Sequence, residues 1–252
     1  MTDWKFRLKA AAVHLCISLL VAGCAAWLVF GVWYPYPYRE ISGGRELFML
    51  VVTVDVMLGP LITFIVFDRR KPRRELGRDL ALVGLIQLAG LGYGLWTVHA
   101  ARPVHLVFEI DRFRVIHAVD VPEELLPQSP PGIVASPLTG PTMLAVRPFS
   151  SERERVDATL AALQGLHLGA RPDLWQPYEA AVPRILKAGR PAGELARRFP
   201  ARAAEIEAGM AATGQPAGQL VYLPLVSRKA FWTVLLDSRT AQVRGFVPID
   251  AF

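Results

Sequence analysis

Cysteine is nearly absent from this 252-residue chain. Cys16 and Cys24 are the only two, and both fall inside one long apolar run. They build neither a disulfide framework nor a metal pair. On a helix they stand about 80° apart and read as apolar filler. Catalytic signatures are missing too. His105, His117 and His167 form no H-x-x-H or H-E-x-x-H spacing, and the chain has no G-x-S-x-G elbow and no phosphate-binding glycine loop. Nucleotide chemistry is therefore not expected, and the residues present call for no cofactor or metal. A basic stripe interleaved with aromatics is also lacking, which excludes a nucleic-acid surface.

Apolar residues are abundant, at 52% of the chain with a mean hydropathy of +0.31. They are unevenly placed. A bilayer core is about 30 Å thick, so a spanning helix needs roughly 20 apolar residues at 1.5 Å rise each. Three runs have that length, and we read spans at 10–32, 47–67 and 80–100. Lipid offers no partner for backbone N–H and C=O groups, so each span must be a helix. The chain then divides into a membrane region, 1–100, and a soluble region, 101–252. A cleaved signal is the rival reading of the first run. Lys5, Arg7 and Lys9 make a charged n-region, and Val21-Ala22-Gly23-Cys24 resembles a lipobox. The run nevertheless stays apolar well beyond Cys24, where a lipoprotein is usually polar.

The net charge of +6 is explained by position. The first hundred residues carry 11 Lys and Arg against 7 Asp and Glu, and the remainder 17 against 15. Six of the basic residues lie in the loop 68–79, and Lys5, Arg7 and Lys9 lie in the N-terminal tail. Basic flanks stay cytoplasmic. That places both segments in the cytoplasm and, after three crossings, residues 101–252 in the periplasm of a bacterial inner-membrane protein. The outer loop carries Trp33, Tyr34, Tyr36 and Tyr38, which read as a belt at the lipid headgroups or as a platform for a partner.

Polar residues inside the spans are few. Asp55 sits near the middle of the second, where a carboxyl costs about 2.5–3.5 kcal/mol on insertion scales. It is expected to face other helices. Gly59 and Pro60 follow one turn later. Pro60 removes an N–H and is expected to free the carbonyl of Val56, while Gly59 allows close helix approach. In the third span Gly90 and Gly94 form a small-xxx-small pair, and Gln87 is suited to hydrogen-bond across a helix interface, with Asp55 as a candidate partner. A proton relay would need a chain of ionisable groups, and only His14 joins Asp55 within the spans. Helix packing or partner contact is the better reading.

Residues 101–252 read as an α+β domain. Strands are expected at 104–110 and 113–121 around an Asp111-Arg112 turn, then a proline-rich loop over 122–141 and a short strand at 143–146. Ser151-x-x-Glu154 is a capping box for a helix over 152–164. Further helices are expected at 178–188, 193–199 and 201–212, then strands at 220–226, 230–236 and 242–248, with first and last strands in one sheet. Glu109 and Asp111 lie on one strand face and read as ordinary exposed charges.

Several stretches together resemble the type IV pilin accessory proteins of the TfpX/TfpZ kind. They are Trp33-Tyr34-Pro35, Gly43-Gly44-Arg45-Glu46-Leu47-Phe48, Val54-Asp55-Val56-Met57-Leu58-Gly59-Pro60-Leu61, Gln87-Leu88, Tyr93-Gly94, Arg102-Pro103-Val104 and Asp111-Arg112-Phe113. The likeness covers residues 1 to about 120. It implies a non-catalytic inner-membrane protein that binds a major type IV pilin and modulates pilus assembly, as a chaperone of the pilin helix and head. Partners are then that pilin and membrane lipid. Asp55, Gly59, Pro60, Gln87, Gly90 and Gly94 are the expected intramembrane contacts, and Trp33, Tyr34, Arg102 and Asp111 the expected contacts outside. A pilin-modifying enzyme of the glycosyltransferase kind is the alternative.

Overall fold

The computed structural model describes residues 3–252, with membrane helices followed by a soluble α+β domain. Its first compact unit is helical, comprising the described residues up to 39 and residues 43–101. Helix α1 runs over Asp3–Trp27 and continues as a π-helical turn, Leu28–Trp33. A short helix α2, Tyr38–Ile41, precedes α3, Gly44–Val66, and α4, Arg73–Ala100. Three helical stretches, Trp4–Trp33, Gly44–Val66 and Arg73–Ala100, are long and apolar enough to cross a membrane. The first and third extend several residues beyond the apolar runs that mark them in the sequence. Hydropathy locates the lipid-facing part of a helix and says nothing about a polar end that continues it.

Helix α3 packs against both α1 and α4. It runs unbroken through Pro60 to Val66. The outer aromatics do not all form a belt. Tyr34 is fully buried and its hydroxyl donates to the Val98 carbonyl at 3.1 Å, whereas Tyr36 is exposed. Gly44 lacks a side chain because the Tyr34 ring lies where its Cβ would stand, 2.3 Å away.

The second unit comprises residues 40–42 and 102–252. Eight strands form one mixed sheet. They are β1 Pro103–Phe108, β2 Phe113–His117, β3 Thr142–Val146, β4 Trp175–Pro177, β5 Arg190–Pro191, β6 Leu220–Val226, β7 Phe231–Asp237 and β8 Val243–Val247. The order is β4-β3-β1-β2-β6-β7-β8, with β5 beside β6. β1 runs parallel to β3 and β2 parallel to β6, and the other pairs are antiparallel. One core forms around Val107, Ile116, Leu144 and Trp175, and it includes Ala158 of α5, Glu152–Leu163. A second forms around Leu195 of α7, Gly193–Arg198, and Ile206 of α8, Ala203–Ala211, against β6, β7 and β8. The remaining helix, α6, spans Val182–Ala188 and takes Pro183 in its first turn, where a missing N–H costs nothing.

Ser151 caps α5 by accepting from the Glu154 N–H at 3.1 Å. The reciprocal arm of the box goes elsewhere: the Glu154 carboxylate accepts from the Ser150 N–H at 2.6 Å and from Arg147 at 2.6 Å. Gly165, at φ +99°, supplies the left-handed residue that ends the helix.

All six residues of β1 are buried, so neither face of the strand meets solvent. β1 is a central strand of the sheet, with β3 and β2 on either side. His105 is fully buried, 2.7 Å from the Thr142 hydroxyl through Nδ1 and 3.0 Å from the Ala135 carbonyl through Nε2. A carbonyl only accepts, so Nε2 carries the proton and Nδ1 accepts from Thr142. Burial pushes the imidazole pKa down to about 4, against the pull of the Ala135 carbonyl.

Candidate functional site

The lone acid of the second span finds its partner on α4. Gln87 Nε2 donates to Asp55 Oδ1 at 3.2 Å and to the Asp55 backbone carbonyl at 3.0 Å. Gly59 makes room for this. A Cβ there would stand 1.9 Å from Gln87 Nε2. A polar group in hydrocarbon is costly unless bonded, so a carboxyl facing an amide is the arrangement that lipid selects.

The two glycines of the small-xxx-small pair on α4, Gly90 and Gly94, have different surroundings. A Cβ on Gly94 would meet Val51 Cγ1 at 2.5 Å, so that glycine sets the approach of α3 to α4. A Cβ on Gly90 would have open space around it. The space belongs to a groove of about 420 Å³ between α3 and α4. Leu50, Val54, Leu58, Ile86 and Tyr93 give it apolar walls, and Asp55 and Gln87 lie within it. A second cavity of about 200 Å³, toward α1, reaches the same pair and is also lined by His14 and Ser18. The Asp55–Gln87 pair thus borders both cavities.

Another polar pair joins α1 to α3. His14 Nδ1 lies 2.5 Å from the Thr63 hydroxyl. Thr63 and Ser18 are both buried, and sequence reasoning passed over them. Their signal is spacing: Ser18 follows His14 by one helical turn and Thr63 follows Asp55 by two, so each extends a polar stripe on one helix face.

Of the residues expected to meet a partner outside the spans, two are committed inside the protein. Tyr34 gives its hydroxyl to Val98, and Arg102 is buried with its guanidinium on the Pro137 carbonyl and the Ser136 hydroxyl, both at 3.0 Å. Neither offers a free polar group. Trp33 packs edge-on against His99 at 4.8 Å between ring centres. Asp111 is exposed and pairs with Arg112 at 2.7 Å.

Glu109 corrects the reading of it as an exposed charge. It is 6% exposed, bonded to Arg114 at 2.9 Å, and accepts from the Gly169 N–H at 3.1 Å. Asp120 accepts from His117 Nδ1 at 3.0 Å and from Arg228 at 2.5 Å. Burial alone would raise its pKa, but these donors outweigh it and hold the carboxyl down at about 2. Among the described residues no three His, Cys, Asp or Glu side chains gather as a metal site.

Similarity to known proteins is extensive. Residues 2–43 match the family model of the fimbrial assembly protein FimB. The fimbrial assembly protein of serogroup I from Dichelobacter nodosus is 35% identical over 249 residues, covering 98% of this chain and 96% of that protein. Its serogroup E1 counterpart is 34% identical over the same shares of both chains. A shorter relative from that organism, of serogroups C1 and C2, is 41% identical over 124 residues, 49% of this chain and 95% of its own. No solved structure matches the chain. With a third of its residues shared along nearly its whole length, the chain belongs to the fimbrial assembly protein family.

Proposed function

We propose that this chain is a non-catalytic inner-membrane accessory protein that binds a major type IV pilin and modulates pilus assembly. Kinship with fimbrial assembly proteins along almost the full chain supports the assembly role. The observation that carries the binding role is the Asp55–Gln87 pair in an open apolar groove. A pilin awaiting assembly is a single membrane helix with a globular head. Such a helix fits against Leu50, Val54, Leu58 and Ile86, and Gly90 lets its backbone come close. The Asp55 carboxyl then accepts from a polar group on that helix. Interhelical hydrogen bonds in membranes contribute about 0.6–2 kcal/mol each, enough to select a register without locking the pilin in place.

The basic N-terminal tail and the loop 68–79 lie in the cytoplasm, and residues 101–252 face the periplasm, where they meet the pilin head. Trp33 and Asp111 are the outer candidates that keep surface for that contact.

Photocrosslinkers at positions 58, 86 and 93, one at a time in living cells, test the docking. Adducts to the pilin are expected from all three, and Asp55→Leu is expected to weaken them several-fold. Absence of adducts from every face of α3 and α4 would refute helix docking. Intact mass of the pilin, with and without this protein, tests the non-catalytic role, and an unchanged mass is expected.

A further inference from the structure

The basic end of the helical unit has its own cavity, distinct from the α3–α4 groove. It measures about 550 Å³ and opens between α1, α3 and α4. Its walls are mainly apolar, from Val13 and Ile17 of α1, Phe67 after α3, and Leu80 of α4, with the mutually bonded His14 and Thr63 among them. Lys9 and Arg69 also line it. They differ from two nearby cations, which are neutralised. Arg7 is paired with Asp68 at 3.3 Å, and Lys71 with Asp79 at 2.7 Å. Lys9 and Arg69 have no carboxylate partner among the described residues. The Arg69 guanidinium instead lies over the Phe6 ring, 4.1 Å from its centre, at the same cavity.

We propose that this cavity binds an anionic phospholipid. Two unneutralised cations beside an apolar cleft, at the end of a membrane helix bundle, match a phosphate headgroup joined to acyl chains. The phosphate sits between Lys9 and Arg69 and takes charge-assisted hydrogen bonds from both. An acyl chain runs down between Val13, Ile17 and Leu80 toward Gly84. A Cβ added at Gly84 would meet nothing within 4 Å, so that glycine leaves the cleft open without serving helix packing. A zwitterionic lipid fits the cleft equally well but brings its own ammonium group, which competes with the protein's cations for the phosphate. The proposal rests on the spanning helices alone and stands whether or not a pilin binds at the α3–α4 groove.

The full chain, reconstituted into vesicles of equal phosphatidylethanolamine and phosphatidylglycerol and then released in mild detergent, is weighed intact by native mass spectrometry. Retention of phosphatidylglycerol over phosphatidylethanolamine is expected, by about fivefold for each cation engaged. Lys9→Gln with Arg69→Gln should abolish the preference. Arg73→Gln with Arg74→Gln removes the same charge outside the cavity and should keep it. Gly84→Leu fills the cleft and should lower retention of both lipids with the cations intact, and circular dichroism checks that each variant keeps its helices. Equal retention of the two lipids by the unaltered chain overturns the proposal, as does equal loss in the Arg73/Arg74 control.

Discussion

Polar groups are used in opposite ways by the two units. The soluble unit spends them inward. Glu109, Arg114, His105, Asp120 and Arg102 are all bonded within it, several with no exposed surface to speak of. The apolar spans of the helical unit hold few, and their central pair, Asp55 and Gln87, borders two cavities. Water makes polar groups cheap at a surface, so a soluble domain that buries them must bond them fully. Hydrocarbon makes every polar group expensive, so one left beside an open groove is either waiting for a partner or wasted. Burial therefore marks structure in the soluble unit, and in the membrane unit the half-buried polar pair is the feature that the proposed docking would use.

The contrast breaks most visibly at Glu109. Replacing it with alanine leaves the mostly buried Arg114 guanidinium without its carboxylate and the buried Gly169 N–H without its acceptor. The expected loss is about 3 kcal/mol, from leaving a mostly buried charge uncompensated. It is read from the thermal midpoint of the full chain in mild detergent. Glu109→Gln, which keeps an acceptor for Gly169, should lose less. A midpoint unchanged in both variants would mean that this ion pair contributes nothing to the fold.

His105 gives an effect of similar size, set by pH. Its folded pKa, about 4, lies below the ordinary histidine value of 6.5, because burial disfavours the charged ring. Between those values the unfolded chain binds the proton and the folded one does not. This contribution is fully present above about pH 6.5 and is lost as pH falls through about 4, to a total of about 3 kcal/mol. His105→Gln should flatten the fall in thermal midpoint between pH 7 and pH 5. An equally steep fall in that variant would assign the acid sensitivity to other groups.

Much of this was legible in the residues. A single acid in an apolar run needs a donor in the membrane, and Gln87 was the polar side chain on the neighbouring span able to supply one. Ser151 announced α5, and the apolar stretches 220–226 and 230–236, parted by Ser227-Arg228-Lys229, announced β6 and β7. Two strands escaped, Trp175–Pro177 and Arg190–Pro191, because pieces of two or three residues ending in proline show no period. The parallel pairings of β1 with β3 and β2 with β6 also left no trace, since period reports which face is buried and not which strand lies alongside. Glu109 and Tyr34 were misread for one reason: the groups that bury them, Gly169 and Val98, lie about sixty residues away in sequence.

The smallest effect on stability sharpens the comparison most, because it separates packing from docking on one helix face. Gly94→Ala pushes a methyl into the branched side chain of Val51, which cannot swing away as a long chain would. It should loosen α3 from α4 by about 1–2 kcal/mol, in the range of overpacked cores. Gly90→Leu meets open space and should leave the bundle as stable as before, while its side chain enters the groove that Asp55 and Gln87 border. The pair is read by thermal midpoint in detergent and by pilin crosslinking from position 58. Midpoint should fall for Gly94→Ala alone, and crosslinking should fall for Gly90→Leu with its midpoint intact. If Gly90→Leu crosslinks as well as the unaltered chain, the groove is a gap between two helices, and Asp55 serves only to hold Gln87.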